Sequence, residues 1–583
     1  MILDKVEMPQ DLKNLSIDEM RTLADEMRDL IIKKVNAIGG HMGPNLGIVE
    51  TTIALHYVFN FLSDKIIFDV SHQCYPHKIL TGRKDGYTNP ENYLKYSGYT
   101  APSESEYDLF QVGHTSTSIS LATGVAKARD LKGKKHNVIA LIGDGSLSGG
   151  EAYEGLNNAA TLESNIIIIV NDNDMSIAEN HGGLYNNLKQ LRDSKGRTSN
   201  NIFKALGFDY YYLEEGNNIP KLIEMFEEVK DKNRPIIVHI NTMKGKGLGV
   251  AEVNKEAFHW ILPGTLDPKN DEKFTITEDY TSITCDFIER KIQEDKTTIV
   301  INAGTPGIFG FDKAFRRKIG SQYTDVGIAE EHAVAYTSGL AKCGAKPIFA
   351  VMSSFVQRTY DQLSQDLCLN KSPITMLVYW GGISGADATH LCIFDIPLIS
   401  NIPNMVYLAP TTKEEHLAML EFSQKQKLHP LAIRIPTCEL ISTGKKEVFN
   451  YNDINKFKVT EQGEKVAIIG LGSFYWLGKQ VKEELKEKLG INATLINPRT
   501  ITGIDEEVLE NLKQNHEIVI TLEDGVLDGG FGEKITRFYG TSTMKVLNFG
   551  AKKEFTDSVP QEELYERYHL TKELIVEDIK NNL

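Results

Sequence analysis

Two short runs carry the residue types with the most chemistry in them. Gly143-Asp144-Gly145-Ser146 is followed, with 24 residues between, by Asn171-Asp172-Asn173-Asp174-Met175-Ser176. Asp144, the Asn173 side-chain oxygen and a backbone carbonyl, assigned to Met175, are hard oxygen donors. They suit Mg²⁺, which keeps several positions for water or phosphate oxygens. Gly143, Gly145 and Ser146 would line the bound anion. Gly-Asp-Gly alone is a common turn; the second run at this spacing, with a strand pattern before each, makes a metal–diphosphate site the better reading.

The elements that must position these runs are legible around them. Asn137–Ile142 and Asn165–Val170 read as buried parallel strands, apolar throughout rather than alternating. Gly149–Leu162 reads as the helix between them, with Ser148 as its N-cap. Both turns then fall at the carboxyl ends of strands, where open α/β sheets bind ligands. A helix N-terminus there adds unpaired N–H groups that favour an anion.

Upstream, Ser16-Ile17-Asp18-Glu19 is a capping box opening a helix through Met20, Leu23, Met27, Leu30, Ile31 and Val35 that stops at Gly39-Gly40. Val49–Leu62 reads as a mostly buried helix, Ile66–Val70 as a strand, and Pro235–Ile240 as the last strand of the unit. A polar stretch near Pro268 to Asp279 reads as a linker. Strands follow at Thr298–Ile301, Pro347–Met352, Pro373–Val378, Met405–Leu408 and Ala432–Ile435. Ile441–Phe457 reads as a second linker, and a third unit has strands at Val466–Ile469, Ala493–Ile496 and Ile518–Leu522. The expected fold class is α/β: three domains, 1–270, 275–440 and 458–583, each a mainly parallel sheet flanked by helices.

Bulk properties fit several domains, since single cores stop growing at ~250–300 residues and the chain has 583. Its net charge of −15 argues against nucleic-acid or acidic-membrane binding. Six cysteines without a C-x-x-C pair point to a reduced, cytoplasmic protein. No run approaches ~18 apolar residues, and Met1–Asn14 lacks a basic-then-apolar leader pattern.

The Gly143–Ser176 pattern resembles that of thiamine-diphosphate enzymes, and this resemblance implies thiamine diphosphate and Mg²⁺ as cofactors. The run Asp325–Leu340, with Tyr323-Thr324-Asp325-Val326-Gly327-Ile328-Ala329-Glu330-Glu331-His332 at its start, is similar to the pyrimidine-binding domain of the transketolase group. There the glutamate matching Glu330 hydrogen-bonds the aminopyrimidine ring and promotes loss of the thiazolium C2 proton. In Ser353–Gln362, Phe355 would stack on the pyrimidine and Arg358 would help hold the site.

The first domain narrows the resemblance. His41–Gly47, Ala54–Asn60, Asp69–Gly82, Ser103–Asp108 and Gly113–Ser120 resemble the 1-deoxy-D-xylulose-5-phosphate synthase family over nearly the whole chain. This implies that His41, His72, His114 and His259 face the thiazolium and a pyruvate carboxylate, where imidazoles bind anions and move protons near neutral pH. His114 and His72 would also touch the cofactor, and Lys244 would approach its diphosphate. The family reaction joins a two-carbon unit from pyruvate to glyceraldehyde 3-phosphate with loss of CO₂, in a homodimer whose third domain helps dimerisation.

Departures from the family cluster at the acceptor. An arginine becomes Trp380 in Tyr379-Trp380-Gly381-Gly382, another becomes Thr437 in Arg434-Ile435-Pro436-Thr437, a tyrosine becomes Met352, and Ser400 replaces a further arginine. Asp387, His390 and Arg434 remain. Charge-assisted guanidinium–phosphate bonds are among the strongest polar contacts, so a different, unphosphorylated aldehyde is an alternative acceptor. Three rival functions are a transketolase, a dehydrogenase component serving lipoyl carriers, and a non-catalytic cofactor-binding protein. The polar segment 177–207 reads as a lid or a disordered stretch.

Overall fold

The computed structural model describes residues 1–268 and 278–583. Most of the first expected linker, with the boundaries at 270 and 275, lies outside the described residues. The chain forms two compact units: Met1–Thr275 with Gly327–Ala329, and Ile276–Val326 with Glu330–Leu583.

The first unit is built on five parallel strands, β1 Lys65–Phe68, β2 Val138–Gly143, β3 Ile166–Asp172, β4 Asp209–Leu213 and β5 Pro235–Asn241, in the order β1-β2-β3-β5-β4. Every residue of β3 is buried. An Ile166-Ile167-Ile168-Ile169-Val170 run fits only such a two-sided position, and full burial of each side chain contributes ~1.5–3 kcal/mol. Sequence reading omits β4: its Asp-Tyr-Tyr-Tyr-Leu edge is only half-buried and lacks the apolar pattern of its neighbours. The opening helix, Ile17–Ile38, has the capping box, with Ser16 accepting from the Glu19 N–H, and ends where Gly39 takes φ 81°. Only glycine adopts that conformation without a Cβ penalty.

The second unit holds two sheets. One has six parallel strands, β6 Thr298–Asn302, β7 Tyr323–Asp325, β8 Lys346–Met352, β9 Thr375–Tyr379, β10 Val406–Leu408 and β11 Leu431–Arg434, ordered β10-β11-β9-β8-β6-β7. The other has β12 Lys458–Glu461, β13 Lys465–Gly470, β14 Thr494–Asn497, β15 His516–Val526 and β16 Lys545–Ala551, ordered β12-β14-β13-β15-β16. Within it β12 alone runs antiparallel, against β14. Sequence reading missed β12 and β16, whose mixed polar and apolar residues reflect edge positions. One apolar core runs through both sheets, joining Ile301, Val351 and Val378 to Ile469, Ile496 and Val519. The architecture is therefore α/β with three mainly parallel sheets, the last two sharing a core. Ile441–Phe457 contains a single 3-10 turn, Tyr451–Asp453.

No helix among the described residues is long and apolar enough to cross a membrane. All six cysteines are free thiols.

Candidate active site

In the first unit, the loop after β1 meets a segment that precedes β1 and one that follows β5 at a histidine cluster. The rings of His41, His72 and His259 lie 5.0, 5.4 and 5.4 Å apart in the three pairs. Asn45 joins two of them: its amide nitrogen donates to the carbonyls of His41 at 2.8 Å and His72 at 2.7 Å, while its oxygen accepts the Tyr75 N–H at 2.9 Å. Sequence reading placed Asn45 in the His41–Gly47 run and gave it no role.

The path into His72 is strained. Val70 and Ser71 take φ 58° and 61°, unusual for any side chain and most of all for a β-branched one. The turn is held by Ser71 Oγ, which donates to the Val112 carbonyl at 2.5 Å and accepts the Thr100 N–H at 3.0 Å. Asp69, at the carboxyl end of β1, accepts the N–H groups of Ser116 at 2.8 Å and Ser118 at 3.0 Å. It thereby pins the loop that carries His114. Beneath lies a buried chain in which His56 meets His77 at 2.9 Å, His77 meets Asp108 at 2.9 Å, and Arg83 grips Asp108 at 2.6 and 3.0 Å. Burial pushes the Asp108 carboxyl up, but His77 and Arg83 outweigh it and hold it well below the carboxylate range.

Lys244 links this cluster to Ser176, which closes the Asn-Asp-Asn run and packs on Gly145. Its ammonium, 2% exposed, donates to the Ser176 carbonyl at 2.6 Å and to His259 Nδ1 at 3.1 Å. Burial lowers the lysine to about 7. Burial and then Lys244 push the His259 imidazole well below its usual value, so at neutral pH His259 is the uncharged acceptor. Ser176 is also what forces a glycine at 145, where a Cβ would sit 2.6 Å from the Ser176 hydroxyl.

The turn itself is set by the register Gly143↔Asn171 between β2 and β3. Asp144 Oδ2 accepts the Met175 N–H at 3.0 Å and the Asn180 amide at 2.9 Å. Burial, then the neighbouring Asp172 charge, push the Asp144 carboxyl up. Asp172 also feels burial, but His239 and Arg192 hold it below its ordinary value. The Ser146 carbonyl accepts from the Ser116 hydroxyl at 2.8 Å.

The structure departs from two expectations. Ser148 is not the helix N-cap: that helix is Gly150–Ala159, its N-cap is Gly149, and no side chain caps it. Ser148 ends a preceding 3-10 turn and its hydroxyl accepts the Ile328 N–H at 2.9 Å. Nor is 177–207 a disordered stretch. It forms helices Gly183–Asp193 and Ile202–Leu206, with Leu188, Leu191 and Phe203 buried in the core.

In the second unit, Glu330 is the first residue of the helix Glu330–Lys342 and is 3% exposed. Burial raises its carboxyl to about 7, against the opposing pull of Arg358, whose Nη1 is 3.7 Å from Oε2. A 3-10 turn after β8, Phe355–Thr359, carries both Phe355 and Arg358. The Phe355 ring meets the His390 ring edge-on at 5.8 Å. His390 Nδ1 lies 2.9 Å from the Thr389 hydroxyl and 3.4 Å from Asp387.

The acceptor candidates gather at one sheet end. Met352, buried, pairs with Tyr379 across β8 and β9, and Trp380 follows with φ 62° and 53% exposure. The sequence places Arg434 among substrate contacts; its guanidinium is buried and paired with two carboxylates, donating to Asp395 at 2.7 and 3.3 Å and to Asp524. Asp395 also accepts the Tyr407 hydroxyl at 2.6 Å. A Cβ on Gly381 would lie 2.5 Å from Arg434 Nε, and one on Gly382 would lie 2.9 Å from Asp524 and 3.6 Å from the Thr437 hydroxyl. The loop after β9 thus rests directly on the ion triad.

Residues 3–199 and 194–242 match a family model described as 1-deoxy-D-xylulose-5-phosphate synthase. Residues 271–441 match the transketolase pyrimidine binding domain and 455–575 the transketolase C-terminal domain. The 1-deoxy-D-xylulose-5-phosphate synthase of Clostridium tetani is 37% identical over 99% of this chain and 99% of its own length. That of Clostridium acetobutylicum is 38% identical over 98% and 97%. The chain belongs to the 1-deoxy-D-xylulose-5-phosphate synthase family. A solved transketolase from Campylobacter jejuni subsp. jejuni covers 97% of this chain and 99% of its own, at 17% identity and a TM-score of 0.44.

The residues present in this family member fit thiamine diphosphate with a divalent cation. Asn173 Oδ1 and Glu330 Oε2 are buried atoms without a hydrogen-bond partner, and such atoms are rare unless a ligand meets them. A Cβ on Gly143 would meet nothing within 4 Å, leaving room beside Asp144 for a bulky anion. The buried Asp144–Asp172 pair gains from an added positive charge. No group of three or more His, Cys, Asp or Glu side chains suited to a metal ion occurs among the described residues. One carboxylate with amide and carbonyl oxygens is a different donor set, and the one Mg²⁺ takes when phosphate and water complete its shell.

Proposed function

We propose that this chain uses thiamine diphosphate and Mg²⁺ to decarboxylate pyruvate and join the remaining two carbons to glyceraldehyde 3-phosphate, giving 1-deoxy-D-xylulose 5-phosphate. The observation that carries this reading is the Lys244 bridge, which ties His259 of the three-histidine cluster to Ser176, at the end of the Asn-Asp-Asn run, in one unit. Family membership supplies the reaction. Asp144, Asn173 and the Met175 carbonyl are the proposed metal ligands, with Gly143, Gly145, Ser146, Lys244 and His114 around the diphosphate.

When bound, the cofactor supplies the electron sink that lets pyruvate lose CO₂. His41, His72 and His259 bind the pyruvate carboxylate, and neutral His259 offers an Nε2–H because its Nδ1 accepts from Lys244. Glu330, whose buried carboxyl can keep a proton near neutral pH, would hydrogen-bond a ring nitrogen of the pyrimidine. Phe355 and Arg358 hold that ring in place, and His390, oriented by Asp387 and Thr389, moves a proton at the acceptor carbonyl.

Lys244→Met is expected to weaken thiamine-diphosphate binding about 10- to 100-fold, as loss of a hydrogen bond to a charged group costs roughly 1.5–3 kcal/mol. Titration calorimetry with cofactor and Mg²⁺ measures it, and unchanged affinity removes Lys244 from the diphosphate.

A second reading concerns the acceptor. Arg434 is neutralised by two carboxylates and Trp380 stands exposed at the same sheet end, which favours an aldehyde with less charge than a phosphate ester. Purified protein with pyruvate and glyceraldehyde 3-phosphate is expected to release CO₂ with 1-deoxyxylulose phosphate as the product by mass. Saturation at micromolar acceptor eliminates the second reading, whereas turnover only with unphosphorylated aldehydes eliminates the first.

The domain limits 1–270, 275–440 and 458–583, a cytoplasmic location and a homodimer aided by the third domain belong to the same proposal, supported by the cysteine pattern and by family membership.

A further inference from the structure

The segment between Ser176 and Phe208 reads in the sequence as a lid or a disordered stretch, yet its longer helix grips the chain on both sides of Asn173. Arg192, on Gly183–Asp193, donates through Nη1 to both oxygens of Asp172, at 2.8 and 2.6 Å, and through Nη2 to Asp174 at 2.5 Å. Its side chain is 12% exposed and that of Asp172 is wholly buried. Asp174 sits at φ 58°, a left-handed conformation that needs local support. Part of that support is its own N–H, donated to Asp172 Oδ1 at 3.1 Å. The same segment reaches Asp144 twice more: the Asn180 amide meets its carboxylate at 2.9 Å, and the Tyr185 hydroxyl meets its carbonyl at 3.2 Å.

Between the two gripped carboxylates lies Asn173, with its carbonyl held by Lys255 at 2.9 Å and its buried side-chain oxygen left without a hydrogen-bond partner. The grip is made by a planar fork that a lysine cannot reproduce. We infer that Arg192 is a positioning residue for the divalent cation: by fastening Asp172 to Asp174 it fixes the left-handed turn that aims the Asn173 amide oxygen at the metal. The inference rests on the Asp144–Asn173 cation site of the proposed function.

The test is Mn²⁺ binding to the full-length protein in the presence of thiamine diphosphate, followed by electron paramagnetic resonance. Arg192→Lys and Asp174→Ala are each expected to raise the Mn²⁺ dissociation constant about 10- to 100-fold, the usual range for groups that orient a metal ligand. The double variant is expected to fall well short of the product of the two, because both act through one contact. In turnover, the Mg²⁺ concentration for half-maximal rate rises while kcat at saturating Mg²⁺ stays near wild type; a merely structural role would not be rescued by the ion. Asp174 is largely exposed, so its variant decides the matter if Arg192→Lys fails to fold. A Mn²⁺ dissociation constant within twofold of wild type in Asp174→Ala overturns the inference and leaves the cation site standing. Absence of Mn²⁺ binding in the wild-type protein overturns both.

Discussion

Glu330→Gln is expected to slow hydrogen exchange at C2 of bound thiamine diphosphate by roughly 10²–10⁴-fold, the range general acid–base groups contribute, while making the cofactor-free protein more stable at alkaline pH. Both halves follow from one observation. Glu330 is buried and its carboxyl is raised from 4.5 to about 7. Because the folded-state value is the higher one, the folded protein binds more protons than the unfolded chain between these limits. The ionisation penalty is absent below about pH 4.5, grows as pH rises, and levels off above about 7, at on the order of 3 kcal/mol. Glutamine keeps the shape and never ionises, so the variant's advantage is greatest near pH 8 and vanishes near pH 4. Urea midpoints across that range measure the stability half, and proton NMR of bound cofactor measures the exchange half. Unchanged exchange removes Glu330 from cofactor activation; a pH-independent stability difference removes the buried-carboxyl explanation.

Arg434→Ala is expected to destabilise the second unit by about 3–5 kcal/mol, the cost of stranding buried partners when one member of a buried ion pair is removed. Asp395 and Asp524 are 0% and 3% exposed and lose their shared cation. Arg434→Met combined with Asp395→Asn and Asp524→Asn should recover much of it. Hydrogen exchange of β11 and β15 amides reports the unit that matters better than a global melt, since a chain of several units need not unfold in one step. If Arg434→Ala instead raises the acceptor KM with no loss of protection, the guanidinium serves the substrate and the acceptor reading changes.

Legibility varied with the kind of signal. The β3 isoleucines and the capping box at Ser16 are local patterns with a single physical solution, and the structure has them where the sequence puts them. The resemblance gathers His41, His72 and His259 at one site, but nothing in their spacing gives a ring separation, which depends on where β1 ends and on Asn45. The ion triad of Arg434 was not legible because its partners are 39 and 90 residues away in the chain, so the sequence shows a lone cation where the fold holds one paired with two carboxylates. Segment 177–207 was misread for a related reason. Its polarity is that of an exposed loop, but the polar groups of Asn180, Tyr185 and Arg192 are spent on Asp144, Asp172 and Asp174. The edge strands β4 and β12 escaped because half-buried strands carry no continuous apolar run.

Asn45 gives the histidine pocket the mechanics of a truss. Two segments 31 residues apart meet at a single amide node, and a third member enters through the Tyr75 N–H. Load applied to either histidine is therefore shared by the other. A change in the backbone at either segment has to be matched at the node.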